Sequence, residues 1–180
     1  MKALQNWIGI AWIIFWAYWL VSAFTANAST GGLRRLPVTG LTFVSVFVVI
    51  RLFRGGGLAV HSQALGVVGA VLFVCGIALA IWARVHLGRN WGMPMTQRVE
   101  PELVTSGPYR FIRHPIYSGL LLGLVGTALA TNFLGLIIVV ILGAYFYYAA
   151  TVEEKNLVVA FPSAYPAYRE HTKKLIPFLL

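Results

Sequence analysis

The residues Gly107-Pro-Tyr-Arg-Phe-Ile-Arg-His-Pro-Ile-Tyr-Ser-Gly119 join a polar cluster to the start of an apolar segment. This stretch holds two arginines, one histidine and two tyrosines. A glutamate pair, Glu153 and Glu154, follows the next apolar segment. Charged groups at both ends of a membrane hairpin are unfavourable unless they serve a purpose, so we interpret the two clusters as one functional site.

The composition of the chain indicates a membrane protein. Of its 180 residues, 59% are hydrophobic and only 11% are charged, and the mean hydropathy is +0.79. A soluble domain of this size could not bury so much apolar surface. We therefore expect an all-α integral membrane protein that forms a single membrane domain over residues 1–180.

The net charge of +9 raises the question of a nucleic-acid partner. The basic residues lie between apolar spans rather than on one amphipathic face, which is typical of topology signals that meet anionic lipid headgroups. We therefore expect membrane lipids as partners and no nucleic acid.

Runs of apolar residues predict five membrane helices. They cover residues 7–24, 36–50, 63–85, 115–130 and 133–150. The second is short for a span, and the glycines at 55–57 break the helix after it. The fifth is expected to continue into the water as a helix. A cytosolic-side loop and a C-terminal helix are expected to cap the site.

Arginines and lysines set the expected orientation, because they favour the cytosolic side. They crowd the segment before the fourth span and the tail after the fifth, as Arg84, Arg89, Arg98, Arg110, Arg113, Lys155, Arg169, Lys173 and Lys174. This distribution places the C-terminus in the cytosol and the N-terminus outside. Arg51 and Arg54 then fall on the opposite side, in conflict with the rule.

Pro115 marks the start of the fourth span, because proline is well tolerated in the first helical turn. Arg113 and His114 lie at this helix N-terminus, where free N–H groups and a partial positive charge favour an anionic ligand. With a rise of about 1.5 Å per residue and a tight turn at residues 131–132, the fifth span is level with Pro115 again near Tyr148, and Glu153 lies roughly 6–8 Å farther toward the cytosol, in the same depth band. The two polar clusters should therefore face each other on adjacent helices.

Several features have a second, structural interpretation. The aromatic run at 145–148 suits a cationic group beside the glutamates, but it also suits an ordinary interfacial belt. Gly119 and Gly123 form a small-x-x-x-small step that is typical of helix packing. The four histidines lack metal-ligand spacing, so we expect no metal, and the single cysteine, Cys75, excludes an intrachain disulfide.

The motifs resemble those of a known family. Residues 107–119 resemble the GPYR-x-x-RHP-x-Y-x-G signature of membrane methyltransferases related to isoprenylcysteine carboxyl methyltransferase, and phospholipid N-methyltransferases carry a looser form. Glu153-Glu154 and the later Leu175-Ile176-Pro177 resemble the downstream motif. The likeness covers residues 84–177, the expected catalytic core, behind N-terminal spans in residues 1–83. Short members are similar to prokaryotic five-helix proteins, which implies a prokaryotic inner membrane.

The resemblance implies S-adenosylmethionine-dependent methyl transfer to a lipophilic or small membrane-associated acceptor at the cytosolic face. The implied cofactor-binding residues are Arg113, His114, Tyr117, Gly119, Glu153 and Glu154. Glu153 and Arg110 are the expected catalytic residues. Arg89 or Arg110 would meet an acidic group of the acceptor, unless both are solvent-facing topology arginines. The loop at 88–106 is expected to cap the site, and the acceptor to enter sideways from the bilayer.

One departure from the family pattern leaves the acceptor open. Family members often carry an arginine about one turn before the glutamate pair, where this chain has Tyr147, Tyr148, Ala149 and Ala150. That arginine is thought to help bind the substrate's carboxylate, so a prenylcysteine acceptor does not follow from the resemblance. Two other functions stay open: an NADPH-dependent membrane reductase of the sterol-reductase type, and a non-enzymatic membrane scaffold.

Overall fold

A computed structural model describes residues 1–23, 57–91 and 102–177 of the chain. Its helices, in chain order, are α1 (Lys2–Ala23), α2 (Gln63–Leu87), α3 (Pro115–Thr131), α4 (Gly135–Ala160) and α5 (Ala164–His171). Two short 3-10 turns, Gly88–Asn90 and Gly107–Arg110, lie between α2 and α3. The regular elements within these ranges are all helices, which confirms the predicted all-α class.

The helices match four of the five predicted spans. α1, α2 and α4 are long and apolar enough to cross a membrane, and α3 is equally apolar but has 17 residues. α4 ends at Ala160 rather than at residue 150, so the expected helical continuation beyond the fifth span is confirmed. The predicted second span, residues 36–50, lies outside the described residues.

α2 and α3 pack so closely that their backbones touch. A methyl group built on Gly76 would lie 2.4 Å from the backbone nitrogen of Gly123 and 2.5 Å from the carbonyl oxygen of Gly119. One built on Gly126 would lie 2.4 Å from the backbone nitrogen of Phe73. In lipid, where apolar surface is already solvated, small residues allow the backbone contact that holds helices together. The predicted packing function of the α3 glycines is therefore visible in the fold.

α1 is tied to α3 by one buried hydrogen bond within an aromatic cluster. The indole Nε1 of Trp12 donates to Thr127 Oγ1 at 3.0 Å, and that hydroxyl donates to the carbonyl of Gly123 at 2.8 Å. The Trp12 ring also meets Phe73 of α2 edge to face, with centroids 5.5 Å apart. α1 therefore contacts both α2 and α3 at one depth.

The connection between α3 and α4 reverses the chain. Asn132 Oδ1 accepts the N–H of Leu134 at 2.9 Å, and the N–H of Val60 donates to the carbonyl of Thr131 at 3.0 Å. These bonds satisfy backbone groups at the turn and tie it to the segment before α2. Because α3 and α4 then run antiparallel, the start of α3 and the second half of α4 lie at the same end of the hairpin.

Candidate active site

The segment before α3 is seated on the end of α2. Gly107 has a φ of 58°, and a methyl group there would lie 2.6 Å from the ring of His86. Only glycine combines this left-handed backbone with so close an approach. The buried Tyr109 follows, and its hydroxyl donates to the carbonyl of Ala83 at 3.4 Å. These contacts fix where Arg113 and His114 enter the hairpin.

The C-terminal tail, residues 172–177, pairs with the same segment. The N–H of Arg113 donates to the carbonyl of Lys173 at 2.8 Å, and the N–H of His114 donates to that of Lys174 at 3.1 Å. The hydroxyl of Ser118 donates to the carbonyl of Leu175 at 2.5 Å. The N-terminus of α3 was predicted to bind an anionic ligand through free N–H groups. Some of the hydrogen-bond donors at this end are instead bonded to carbonyls of the tail.

Arg113 forms the shortest ion pair of the site. Its Nε lies 2.8 Å from Glu154 Oε1, and each of the two side chains is 9% exposed. Its Nη1 donates to the carbonyls of Thr172 and Arg169. The guanidinium thus connects α4 to α5 and the tail, and its predicted contact with the anionic edge of a cofactor stays a prediction.

Lys174 adds a second cation from the tail. Its Nζ lies 3.6 Å from Glu154 Oε2, donates to Thr151 Oγ1 at 3.0 Å and lies 4.5 Å from the centre of the Tyr147 ring. His114 Nε2 lies 3.4 Å from Glu154 Oε1. Glu154 is therefore a buried carboxylate with three basic neighbours, and such a charge is stable in a low dielectric only when it is well paired.

Glu153 has different surroundings. The hydroxyl of Tyr117 donates to Glu153 Oε1 at 2.5 Å, and His114 Nδ1 lies 3.4 Å from Glu153 Oε2. The Glu153 side chain is 24% exposed, against 9% for Glu154. The two adjacent carboxylates thus differ, because Glu154 is enclosed by cations and Glu153 is more exposed.

Parallel aromatic rings orient these polar groups. His114 stacks on Tyr117 with ring centres 5.5 Å apart, and Tyr117 stacks on Phe146 of α4 at 4.7 Å. The interplanar angles are 6° and 7°. Since each ring is held by the next, the Tyr117 hydroxyl and both His114 nitrogens point at α4 without side-chain freedom.

Electrostatics set the protonation of the groups around the cluster. Burial lowers the pKa of His114, but the Glu153 and Glu154 carboxylates outweigh burial, and the net effect raises that pKa above its ordinary value. The His114–carboxylate distances of 3.4 Å are long for hydrogen bonds, so we attribute the attraction mainly to charge. Burial raises the pKa of Tyr168 to about 12, which keeps its hydroxyl protonated to donate to the carbonyl of Tyr109 at 2.5 Å.

The structure brings together most of the predicted site residues. Arg113, His114, Tyr117, Glu153 and Glu154 form one connected cluster. Gly119 instead faces α2, where a methyl group on it would lie 2.6 Å from the carbonyl oxygen of Gly76. Arg110 is exposed, with its guanidinium 5.2 Å from the centre of the Phe111 ring. The cofactor contact of Gly119 and the catalytic function of Arg110 stay predictions.

Lys174 and the tail carbonyls are the parts that the sequence analysis missed. Lys174 was counted only as a topology signal, although Leu175-Ile176-Pro177 next to it belongs to the family motif. That adjacency was the available signal that the tail is part of the site.

The antiparallel helices and the paired charges at one end of their hairpin define the class of this molecule: a helical membrane protein with a polar cluster at the end of a helical hairpin. The family model described as phospholipid methyltransferase matches residues 65–164, more than half of the chain. The chain therefore belongs to this family of membrane methyltransferases, and the resemblance found in its motifs is confirmed.

Two curated relatives share part of the chain. The cobalt-zinc-cadmium resistance protein CzcN of Cupriavidus metallidurans is 32% identical over 108 residues, which are 59% of this chain and 47% of that protein. The protein-S-isoprenylcysteine O-methyltransferase of Schizosaccharomyces pombe is 32% identical over 115 residues, which are 61% of this chain and 49% of that protein. The chain thus spans about half the length of the curated relatives it matches.

A solved structure shares the fold. The eukaryotic intramembrane Ras methyltransferase ICMT, isoprenylcysteine carboxyl methyltransferase, superposes with a TM-score of 0.58 at 22% sequence identity. The match covers 83% of this chain and 54% of that chain. The arrangement of helices around the charged cluster is therefore one that a membrane methyltransferase also has.

Proposed function

We propose that this chain transfers a methyl group from S-adenosylmethionine to a lipophilic or small membrane-associated acceptor. Membership of the methyltransferase family supports the reaction class. The single observation that carries the donor assignment is the partly exposed carboxylate of Glu153, which accepts a hydrogen bond from the hydroxyl of Tyr117 at the end of the hairpin.

The groups around Glu153 fit a cationic donor. S-adenosylmethionine supplies an activated methyl group on a positively charged sulfonium and also carries an ammonium group. A carboxylate attracts such cations electrostatically and accepts charge-assisted hydrogen bonds from an ammonium group. Tyr117 holds one oxygen of Glu153 by a hydrogen bond, so the carboxylate is oriented before a ligand arrives.

The protein's contribution to this reaction is positioning and exclusion of water. The methyl group is already activated, so Glu153 needs to accept a proton only when the acceptor nucleophile carries one. The Tyr117–Phe146 stack places apolar ring surface next to the Glu153 carboxylate that Tyr117 holds. We place the catalytic core in residues 84–177, with the site at the cytosolic face and the acceptor entering from the bilayer, because the basic residues favour that side.

Donor binding to the full chain tests the assignment. Isothermal titration of the purified protein in lipid nanodiscs with S-adenosylmethionine should show binding, and Glu153→Gln should weaken it about tenfold or more, the loss expected for a charge-assisted contact. Glu170→Gln is the matched control, because Glu170 is exposed on α5. Equal affinity in wild type and Glu153→Gln would contradict the assigned site.

A parallel titration with NADPH separates the alternatives. Binding of NADPH without S-adenosylmethionine would support a reductase, and binding of neither would support a scaffold. Where the methyl donor binds, mass spectrometry of lipid extracts incubated with isotope-labelled donor identifies the acceptor by its added mass.

A further inference from the structure

The glutamate pair is unequal in charge as well as in exposure. Glu154 has Arg113, His114 and Lys174 around its two oxygens, at distances of 2.8, 3.4 and 3.6 Å. Glu153 Oε2 lies 3.4 Å from His114 Nδ1, and Glu153 Oε1 accepts the hydroxyl of Tyr117, which is neutral. In a partly buried cluster, the charges next to each carboxylate decide how strongly that carboxylate attracts a neighbouring proton or cation.

His114 is the group that both carboxylates share. Its Nδ1 faces Glu153 and its Nε2 faces Glu154, each at 3.4 Å, and the side chain is 8% exposed. The stack on Tyr117 keeps the ring in this bridging orientation. Any change in the charge around Glu154 therefore changes how strongly His114 is held and how strongly it holds Glu153.

We propose that Lys174 is a positioning residue for the donor site: by sharing Glu154 with Arg113, it limits how strongly His114 occupies the Glu153 carboxylate. This inference rests on the proposed donor function of Glu153. Lys174 acts through Glu154 and His114, and its own ammonium is held by Thr151 and the Tyr147 ring. Its part in the reaction is therefore indirect.

The ionisable groups around His114 come from every neighbouring element. They are Arg113 and Tyr117 beside it in the chain, Glu153 and Glu154 from α4, Lys174 from the tail, and Tyr165 and Tyr168 from α5, which interact with Glu154 and Arg113. The two carboxylates raise the pKa of His114. His114 Nε2 and Lys174 Nζ lie 3.4 and 3.6 Å from the two oxygens of the same Glu154 carboxylate, so the ammonium repels a proton on the imidazole by Coulomb's law.

Removal of the Lys174 charge should change the pKa of His114 and the donor affinity in defined directions. Without this cation, less repulsion acts on an imidazolium at His114, so His114 keeps its proton to higher pH. A protonated His114 competes with a cationic donor for Glu153. Donor affinity should therefore fall near neutral pH, and its increase with pH should move to higher pH.

The test is donor affinity measured as a function of pH on the full chain in nanodiscs. S-adenosylmethionine is titrated from about pH 5.5 to about pH 8, the range in which histidine changes charge. Lys174→Met should bind the donor about fivefold more weakly near pH 7, with the rise in affinity displaced to higher pH. Lys174→Arg should restore the wild-type profile. Lys155→Met is the matched control, because it removes the same charge from an exposed position next to Glu154.

Three results would overturn the proposal. One is a pH profile of Lys174→Met identical to that of wild type, and another is failure of Lys174→Arg to restore it. If Lys174→Met does not fold, His114→Gln decides, because it removes the shared imidazole and should abolish the pH dependence; a retained dependence is the third contrary result. Absence of donor binding by wild type would reject the proposed function itself, and is distinguishable from all three.

Discussion

Two regions of the molecule hold α3 in place in different ways. One is its contact with α2, and the other is the charged cluster at the end of the α3–α4 hairpin. In the contact, Gly76 and Gly126 leave no side chain between two backbones. In the cluster, Arg113 and Glu154 are long charged side chains that fill the space between α3, α4 and the tail. The close backbone approach stabilises the packing of α2 on α3 without creating a chemically specific site. The charged residues create such a site, but each buried charge then needs its partner to remain stable.

The largest effect is expected at the charged end. Glu154→Gln leaves the buried Arg113 guanidinium without its carboxylate, so the free energy of unfolding should fall by about 3–5 kcal/mol. Glu153→Gln should cost far less stability, because the Glu153 side chain is 24% exposed, against 9% for Glu154. Denaturant unfolding of both variants in the same detergent measures the difference. Equal losses would remove the distinction between a structural and a ligand-binding glutamate.

An intermediate effect is expected in the backbone contact. Gly76→Ala places a methyl group 2.4 Å from the backbone of Gly123, so the helices must separate, and overpacking of this kind costs about 1–3 kcal/mol. Gly123→Ala is the matched control, because its methyl group would lie 3.6 Å from Ile77 and 3.7 Å from Trp12. Thermal unfolding should show a lower transition for Gly76→Ala alone. A similar decrease in the unfolding temperature for Gly123→Ala would mean that any added side-chain volume on these helices is destabilising, and not specifically the loss of backbone contact.

The smallest effect is expected at the buried hydrogen bond that ties α1 to α3 within the apolar part of the helix bundle. Thr127→Val removes the acceptor of the Trp12 indole and should cost about 0.6–1.7 kcal/mol, the range for such bonds in membranes. Thr131→Val is the control, because the hydroxyl of Thr131 donates only to the carbonyl one turn earlier. Tryptophan fluorescence during unfolding measures both. A loss of unfolding free energy as large as that of Glu154→Gln would contradict the proposed difference between the apolar helix contacts and the charged cluster.

Much of the fold was predictable because its signals are local. Pro115 marks the first residue of α3, as expected from its missing N–H, and α2 begins at Gln63 as the hydropathy indicates. α1 begins at Lys2 and not at residue 7, since a polar helical turn carries no hydropathy signal. The meeting of the two polar clusters at one depth follows from helix rise and one tight turn.

The pairing inside the cluster was not predictable. Helix rise gives the depth of Glu153 and Glu154 but not the rotation of α4, and that rotation decides which of the two meets Arg113. The position of Lys174 depends on how the tail docks, a long-range contact with no periodic signature in the sequence. Gly119 has two plausible functions in the sequence, and only the structure shows that it lies against Gly76 and Ala80.

The carbonyls of Lys173, Lys174 and Leu175 have a consequence for biosynthesis. They follow the hairpin in the chain, so α3 and α4 leave the ribosome before these carbonyls do. Until residue 175 emerges, the entry to α3 must be solvated by water or held by the insertion machinery. A stop codon or a protease cut after His171 would therefore yield a chain that keeps α1 to α4 but lacks the tail carbonyls of the site.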